Sequence, residues 1–205
     1  MIKIIKVKKN DNDGLLIMKW RNDIDTRNMS FYKGEYTWSI FKNIFYNKYF
    51  SNSIDPLFIE YNNIKIAFIS FYNKELCNHY NIYISINIFP NYRGQGFGKL
   101  IINEIINYVK INYSNITSIK AEIKEINIAS IKTFTKSGFQ FIKKYNKDNE
   151  NIFVYIYNMK NIELLIGDNY IGTNFPTYFI AELSCNHNQN ISMAYKLIDE
   201  AHKSG

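Results

Sequence analysis

Residues 84–99 read ISINIFPNYRGQGFGK and carry the strongest structural signal in the chain. Within residues 81–89 apolar and polar side chains alternate, which predicts a strand with its isoleucines on one face. Pro90 and Asn91 end that strand, and glycines follow at positions 94, 96 and 98. Apolar residues then recur at helical spacing to about Ile111. The stretch therefore predicts a strand, a glycine-rich turn and a helix in direct succession.

A glycine-rich turn between a strand and a helix is suited to binding a pyrophosphate. Glycine lets the backbone approach the ligand closely, and the helix N-terminus supplies free N–H groups and a partial positive charge. The spacing GxGxG differs from the dinucleotide fingerprint GxGxxG, and no acidic residue ends a second parallel strand about 20 residues later. The nucleoside triphosphate motif GxxxxGK[ST] is also absent from the sequence. Both of those site classes are excluded.

The remaining pattern predicts an α+β fold with a mixed sheet. Most of the predicted strands follow one another through short turns, and one helix joins two strands directly after the glycine-rich turn. Asp11 to Gly14 are expected to end the first strand as a turn, before a helical region that starts at Leu15. Asn62-Asn63 is typical of a hairpin turn. Strands are predicted at residues 2–7, 56–61, 64–69, 119–126, 139–145 and 152–157, and further helices from residue 37 and at residues 129–137.

Composition limits the classes of protein that the chain can represent. Its 205 residues are 46% hydrophobic and 21% charged, so wholesale disorder is excluded. No apolar run approaches the roughly 18–20 residues that a bilayer-spanning helix needs, so a transmembrane protein is excluded as well. The start lacks the pattern of a signal peptide, and Cys77 and Cys185 have no metal-binding or disulfide spacing. We therefore expect a cytoplasmic protein without a metal site. The net charge of +7 favours an anionic partner, but charge alone does not support a nucleic-acid binder.

Two segments resemble the GNAT N-acetyltransferases. Arg93, Gly96 and Gly98 match the family motif Arg/Gln-x-x-Gly-x-Gly/Ala, and residues 127–139 resemble a later segment that ends in Gly-Phe. The resemblance covers the core of residues 1–160 and implies acetyl-CoA as the cofactor. The residues that it implies for cofactor binding are Ile86, Asn87, Ile88, Arg93, Gly94, Gln95, Gly96, Phe97, Gly98, Lys99, Asn127 and Phe134.

The resemblance also implies catalytic roles. Glu122 matches a position that serves as general base in some members, although a surface glutamate between Lys120 and Lys124 is an equal alternative. The tyrosine that usually protonates the leaving thiolate falls on Phe134, which has no proton to donate. Water, Tyr145 or Tyr155 remain as substitutes.

The acceptor is suggested by residues 15–42. Their Trp-Arg-Asn…Arg-x-Met-Ser pattern resembles acetyltransferases that modify nucleotide-linked 4-amino sugars in pseudaminic acid synthesis. Trp20, Arg21, Asn22 and Arg27 are the expected substrate-binding residues, since arginine is suited to phosphate. The alternative is a core role for Trp20 and a surface role for the arginines.

Residues 161–205 resemble the opening of the sialic acid synthase family, particularly pseudaminic acid synthase. The string Phe-Ile-Ala-Glu-Leu-Ser-Cys-Asn-His precedes a predicted helix with Ala194, Leu197, Ile198 and Ala201 as its apolar stripe. The resemblance implies an incomplete first βα unit of a TIM barrel, with Glu182, Asn186 and His187 at its strand end. We expect the chain to continue into a fused synthase.

The leading function is therefore acetyl transfer to the 4-amine of a UDP-linked 4-amino-4,6-dideoxy sugar, a nucleotide-sugar substrate. One alternative is a protein or amino acid N-acetyltransferase. Another is a non-catalytic module that binds acetyl-CoA and regulates the synthase, which Phe134 favours. No membrane partner is expected.

Overall fold

The computed structural model of the chain describes residues 2–73, 81–159, 164–167, 169–171, 178, 180, 182 and 187–204. The chain divides into two units, Met1–Lys160 and Asn161–Gly205. The first unit contains strands β1 (Ile2–Lys6), β2 (Leu57–Tyr61), β3 (Ile64–Tyr72), β4 (Asn81–Ile88), β5 (Ser118–Lys124), β6 (Gln140–Lys147) and β7 (Glu150–Asn158). Its helices are α1 (Asp11–Arg21), α2 (Ile24–Met29), α3 (Trp38–Asn43), α4 (Phe97–Asn112) and α5 (Ile128–Lys136), with one π-helical turn at Ile44–Lys48 and one 3₁₀ turn at Pro90–Tyr92.

The seven strands described above form one sheet in the order β1-β2-β3-β4-β5-β7-β6. Neighbouring strands are antiparallel except β4 and β5, which are parallel. The predicted mixed α+β sheet is therefore confirmed. The β2–β3 hairpin turns at Asn62 and Asn63, whose φ angles of 50° and 63° are in the left-handed region that Asn tolerates. The hairpin predicted from that pair is also confirmed.

The two faces of the sheet have different cores. On one face α4 buries five aliphatic side chains against isoleucines of the central strands. On the opposite face an aromatic cluster forms around Trp20, Phe41, Phe45, Phe58 and Phe68. Strand alternation explains the division, since Ile82 and Ile84 point to the first face and Tyr83 to the second.

Helix α1 begins earlier than the sequence predicts. Asp11 to Gly14 are expected from the sequence to form a turn after the first strand, but they form the first turn of α1. The side chain of Asn10 caps the helix by accepting a hydrogen bond from the Asp13 N–H at 2.9 Å. Asp11 and Asp13 then lie at the positive end of the helix, where carboxylates are stabilising. A cluster that usually marks a turn therefore acts here as a helix start.

The second unit contains a short hairpin and a helix. Strands β8 (Leu164–Ile166) and β9 (Asn169–Ile171) pair antiparallel as a hairpin. Helix α6 (Ile191–Lys203) is capped by the Asn190 side chain and has no buried residue. Asn186 and Asp168 lie outside the described residues. The described residues of this unit do not show the barrel unit, which stays a prediction.

No helix among the described residues is both long enough and apolar enough to span a membrane.

Candidate active site

The sheet opens between β4 and β5. Their parallel pairing covers only Asn81↔Ser118 to Tyr83↔Lys120, although both strands continue further. The remaining residues, 84–88 of β4 and 121–124 of β5, are not paired with each other. We call the space between these two segments the β4–β5 cleft. Its β4 wall has backbone groups available for an extended ligand that would bind as an added strand.

Backbone alternation shows which groups of β4 face the cleft. The Phe89 N–H donates to the Ile66 carbonyl of β3 at 2.8 Å, so alternate residues such as Asn87 direct their backbone groups toward β3. The backbone groups of Ile86 and Ile88 consequently face the cleft. These two positions suit the role predicted for them, whereas Asn87 can reach a ligand only through its side chain.

The glycine-rich turn lies at the end of this wall, before the N-terminus of α4. Gly94 and Gly96 have φ angles of 73° and 82°, and a side chain at either position would meet nothing within 4 Å. The chain therefore has the left-handed backbone that glycine permits, with open space beside it. The first N–H groups of α4 are available at the same place. These features fit the diphosphate of acetyl-CoA.

Gly98 is needed for a different reason. A Cβ atom at this position would lie 2.8 Å from Thr133 Cγ2, so glycine allows α4 to approach α5. Phe97 packs its ring against Tyr61 and Tyr92, which leaves its N–H as the group that a ligand could use. The neighbouring predicted residues Gln95 and Lys99 are exposed.

Arg93 does not reach into open space. Its Nε donates to the Ile88 carbonyl at 2.9 Å, and its Nη2 donates to Thr26 Oγ1 at 2.7 Å. Its Nη1 forms an ion pair with Asp23 Oδ2 at 2.8 Å. All three guanidinium nitrogens therefore bind groups of the chain itself. Direct cofactor binding by this side chain stays a prediction, and its observed contacts fix the start of the glycine-rich turn.

Glu122 belongs to a cluster of tyrosines on the face opposite α4. The Tyr145 hydroxyl donates to Glu122 Oε1 at 2.9 Å, and the Tyr72 hydroxyl donates to Oε2 at 3.4 Å. Tyr72 also stacks on Tyr83, with ring centroids 5.3 Å apart. Burial, followed by the neighbouring Glu122 carboxylate, raises the pKa of both Tyr72 and Tyr145. Both phenols therefore keep their protons at neutral pH and act as donors.

Tyr72 and Tyr83 were not predicted as site residues. The available signal was strand alternation, because both residues lie on the strand face that carries Glu122 once the register is known. The sequence alone does not reveal that register, since Tyr72 and Glu122 are 50 positions apart.

Asn127 and Phe134 have structural roles in α5. The Asn127 side chain caps the helix by accepting from the Ser130 N–H at 3.1 Å. Phe134 is 6% exposed and contacts Phe139 edge-on at 4.9 Å between ring centroids. Of the two substitute tyrosines, Tyr145 bonds Glu122, whereas Tyr155 packs in the core against Phe141.

The predicted acceptor residues lie around α1 and α2. Trp20 is 3% exposed and stacks on Phe89, which matches the core alternative. Asn22 exchanges two hydrogen bonds with the Tyr36 backbone, at 2.8 and 2.9 Å. Arg27 Nε donates to the Asn22 carbonyl at 3.1 Å. Arg21 Nε is buried and has no hydrogen-bond partner among the described residues.

The comparisons with known proteins agree with this geometry. The model of the acetyltransferase (GNAT) family matches residues 17–139, which is more than half of the chain. The chain belongs to the GNAT acetyltransferase family. Its first unit is thus an acetyltransferase, and acetyl-CoA is its cosubstrate. The comparison with curated protein sequences gave no match.

Solved GNAT structures share the fold at low sequence identity. An aminoglycoside acetyltransferase in complex with coenzyme A is 13% identical, with a TM-score of 0.66, 77% of this chain covered and 95% of that chain. Spermidine N-acetyltransferase from Vibrio cholerae, in complex with coenzyme A and spermine, is 14% identical, with a TM-score of 0.66 and the same coverage. An N-acetyltransferase from Staphylococcus aureus is 20% identical, with a TM-score of 0.63, 78% of this chain covered and 99% of that chain.

Proposed function

We propose that this GNAT domain acetylates the 4-amino group of a UDP-linked 4-amino-4,6-dideoxy sugar. The observation that carries the proposal is Arg21, whose Nε is buried without a hydrogen-bond partner among the described residues. A buried guanidinium donor without a partner is costly unless a ligand satisfies it, and arginine suits a phosphate oxygen. Arg27 Nε donates to the carbonyl of Asn22, the residue after Arg21. Arginine guanidinium groups suit a nucleotide diphosphate.

The residues of the cleft would hold acetyl-CoA. The glycine-rich turn and the N-terminus of α4 would bind the diphosphate. The backbone groups of Ile86 and the N–H of Ile88 would bind the pantetheine arm, since the Ile88 carbonyl already accepts from Arg93. The bound thioester supplies an activated acetyl group. Phe97 and Gly98 would contribute N–H groups, since the Phe97 ring packs within the protein and Gly98 has no side chain.

We assign the role of general base to Glu122. Its carboxylate would accept the proton of the attacking amine, directly or through a water, while the new C–N bond forms and the C–S bond breaks. Tyr145 and Tyr72 orient the two oxygens of the carboxylate. Tyr155 is in the core and the Tyr145 proton is already donated to Glu122, so water is the substitute that would protonate the thiolate.

Phe134 is compatible with this mechanism. Thiols are far more acidic than alcohols, and the cysteine thiol has a pKa of about 8.5, so a thiolate can leave at neutral pH with less help from an acid than an alkoxide needs. General acid catalysis increases the rate of a reaction by roughly 10²–10⁴-fold, and the loss of the tyrosine would lower the rate by at most a factor of this size.

The proposal is tested by mass detection of acetyl transfer to a UDP-4-amino-4,6-dideoxy sugar, with a peptide amine and spermidine assayed in parallel. We expect product on the sugar, with UDP as a competitive inhibitor. Product on the peptide or on spermidine alone would reject the sugar assignment. Binding of acetyl-CoA without turnover on any amine would favour the regulatory alternative.

Two variants sharpen that assay. Arg21→Met should raise the KM for the sugar at least about tenfold and leave acetyl-CoA affinity unchanged, because one charged hydrogen bond to phosphate is lost. Lys19→Met is the matched control, since Lys19 is an exposed cation of the same helix. Equal sugar KM values for the two variants would remove Arg21 from the acceptor site.

A further inference from the structure

Helix α2 is attached to the protein without a buried side chain. None of its six residues, Ile24–Met29, is buried, and Ile24 and Met29 are 57% and 40% exposed. A single helical turn and a half is not stable in water by itself. The position of α2 must therefore depend on polar contacts at its two ends.

The first set of contacts attaches the N-terminal end of α2 to β4. Arg93 bonds the Asp23 carboxylate and the Thr26 hydroxyl, and it also bonds the carbonyl of Ile88, the last residue of β4. Thr26 Oγ1 lies 3.2 Å from Oδ1 of Asn87, whose Nδ2 is buried without a partner among the described residues. We call the contacts of Arg93 with Asp23, Thr26 and Ile88 the Arg93 clamp.

The second set attaches the C-terminal end of α2 to β5. Lys124 Nζ donates to the Asn28 carbonyl at 3.1 Å and pairs with Glu150 Oε2 at 2.8 Å. The Lys124 side chain is only 1% exposed, and a buried ammonium needs such partners because it has lost its water. Glu150 also pairs with Lys33 at 2.8 Å. We call the contacts of Lys124 with Asn28 and Glu150 the Lys124 clamp.

The two clamps lie on opposite walls of the β4–β5 cleft. Arg93 follows β4 and Lys124 ends β5, and the two strands are no longer paired at these positions. Glu122, two residues before Lys124, lies on the same strand face. We propose that α2 is a strap across the cleft, and that Asp23 and Lys124 are positioning residues that fix the acceptor entrance beside Glu122.

The Arg93 clamp also links the strap to the cofactor site. Arg93 is directly followed by Gly94, the first residue of the glycine-rich turn. A ligand that orders this turn therefore restricts Arg93, and Arg93 restricts Asp23 and Thr26. We expect coenzyme A to increase the protection of α2 amides against hydrogen exchange. The inference rests on the proposed location of the active site, but not on the identity of the acceptor.

The test is hydrogen exchange of the segment 22–32, measured by mass spectrometry with and without coenzyme A. Asp23→Asn should speed exchange of the Arg27 and Ser30 amides by about tenfold or more, because one charge-assisted hydrogen bond is lost, and it should remove the protection by coenzyme A. Asp25→Asn is the control, since Asp25 is 78% exposed and lies 3.7 Å from Arg93. Equal exchange in the two variants would overturn the strap.

The Lys124 clamp is tested in the same way. Lys124→Met should speed exchange of the segment 22–32 more than that of α4, with Lys144→Met as the control because Lys144 pairs with Glu125 at the exposed surface. If Lys124→Met does not fold, Glu150→Gln weakens the same clamp from its more exposed partner. Uniform exchange changes over the whole unit would contradict a local strap.

A kinetic measurement separates positioning from mere stability. With any amine that the enzyme acetylates, Asp23→Asn should raise the KM for that amine by about tenfold and change kcat much less, and Asp23→Glu should restore most of the affinity. A fall in kcat with unchanged KM would contradict the positioning role. Because hydrogen exchange needs no acceptor, failure of the sugar assay with a retained exchange pattern would reject the sugar and leave the strap standing.

Discussion

Helices α4 and α2 lie on opposite faces of one sheet, and they are held there by different forces. Helix α4 buries Ile101, Ile102, Ile105, Ile106 and Val109 against the central strands. Helix α2 buries no side chain and is attached through Arg93 and Lys124. Apolar burial is strong and has no preferred direction, whereas hydrogen bonds to charged groups fix geometry and depend on each partner.

We relate this difference in attachment to the two substrates, acetyl-CoA and the acceptor amine. The face with α4 carries the glycine-rich turn, to which we assign the binding of acetyl-CoA. The face with α2 carries Glu122 and the proposed acceptor entrance. We infer that polar attachment lets the acceptor side be adjusted by single substitutions, while the cofactor side depends on a packed core. The following predictions test this contrast.

The largest effect is expected at the glycine-rich turn. Gly96→Glu should abolish acetyl-CoA binding, because its carboxylate would repel the diphosphate and because a φ of 82° disfavours a side chain. Isothermal titration calorimetry measures the loss. Gly96→Asn is the matched control, since Asn tolerates this backbone and is uncharged, and it should retain measurable binding. Unchanged affinity in Gly96→Glu would remove the turn from the cofactor site.

The next effect is expected at Glu122. Glu122→Gln should lower kcat by roughly 10²–10⁴-fold, because the amide cannot accept the proton of the amine. Acetyl-CoA affinity should stay the same, since Glu122 lies on the face opposite α4. Glu104→Gln, at an exposed position of α4, is the control. A kcat within twofold of the unsubstituted enzyme would exclude Glu122 as the base.

Packing on the α4 side predicts a loss of stability. Ile105 is fully buried, so Ile105→Ala should lower the free energy of unfolding by about 2–5 kcal/mol. Leu100→Ala, on the same helix but 54% exposed, should change it by less than about 0.5 kcal/mol. Urea denaturation distinguishes the two. Similar losses would mean that α4 is not held by its apolar face.

A smaller effect on kcat is expected for Tyr145. Tyr145→Phe should lower kcat about tenfold, because Glu122 loses the donor that orients it at 2.9 Å. Tyr155→Phe should leave kcat nearly unchanged, since that ring is in the α4-side core. A larger effect of Tyr155→Phe would instead identify Tyr155 as the proton donor to the thiolate.

The sequence predicts the α4 side better than the α2 side. The glycine-rich turn and its flanking strand and helix are local, so spacing along the chain suffices to find them. The clamps join residues such as Arg93 and Thr26, which are 67 positions apart, and no periodicity predicts that contact. The motif predicts Arg93 for the cofactor, and this stays a prediction, whereas the contacts of Arg93 with Thr26 and Asp23 are seen only in the fold.

The start of α1 shows a second limit. Asp11 to Gly14 are residues that favour turns, yet Asn10 and two carboxylates make them a helix start. Turn and cap signals use the same side chains, so only the neighbouring backbone distinguishes them. The site residue Tyr72 could not be predicted for a related reason, since its proximity to Glu122 depends on the order of the strands.

As the pH falls, the attachment of α2 should weaken before the packing of α4 does. The hydrogen bond from Lys124, followed by that from Lys33, lowers the pKa of Glu150 below its ordinary 4.5. Burial raises the pKa of Asp23, but bonds from Thr26 and Arg93 outweigh it and leave the value below 3.8. A carboxylate whose pKa is lower in the folded state stabilises the fold at pH values above its unfolded-state pKa. This contribution is lost as the pH falls through the folded-state pKa. Both clamps therefore weaken in acid.

Hydrogen exchange measured from about pH 6 to pH 3, and corrected for the intrinsic rates, tests this order. Protection of the segment 22–32 should fall while protection of α4 persists, because apolar burial by Ile105 and its neighbours does not titrate. In Glu150→Gln the segment should be less protected already at pH 6 and should change less on acidification. If α2 and α4 lost protection together, α2 would depend on the packed core rather than on its clamps, and the contrast between the two faces would be wrong.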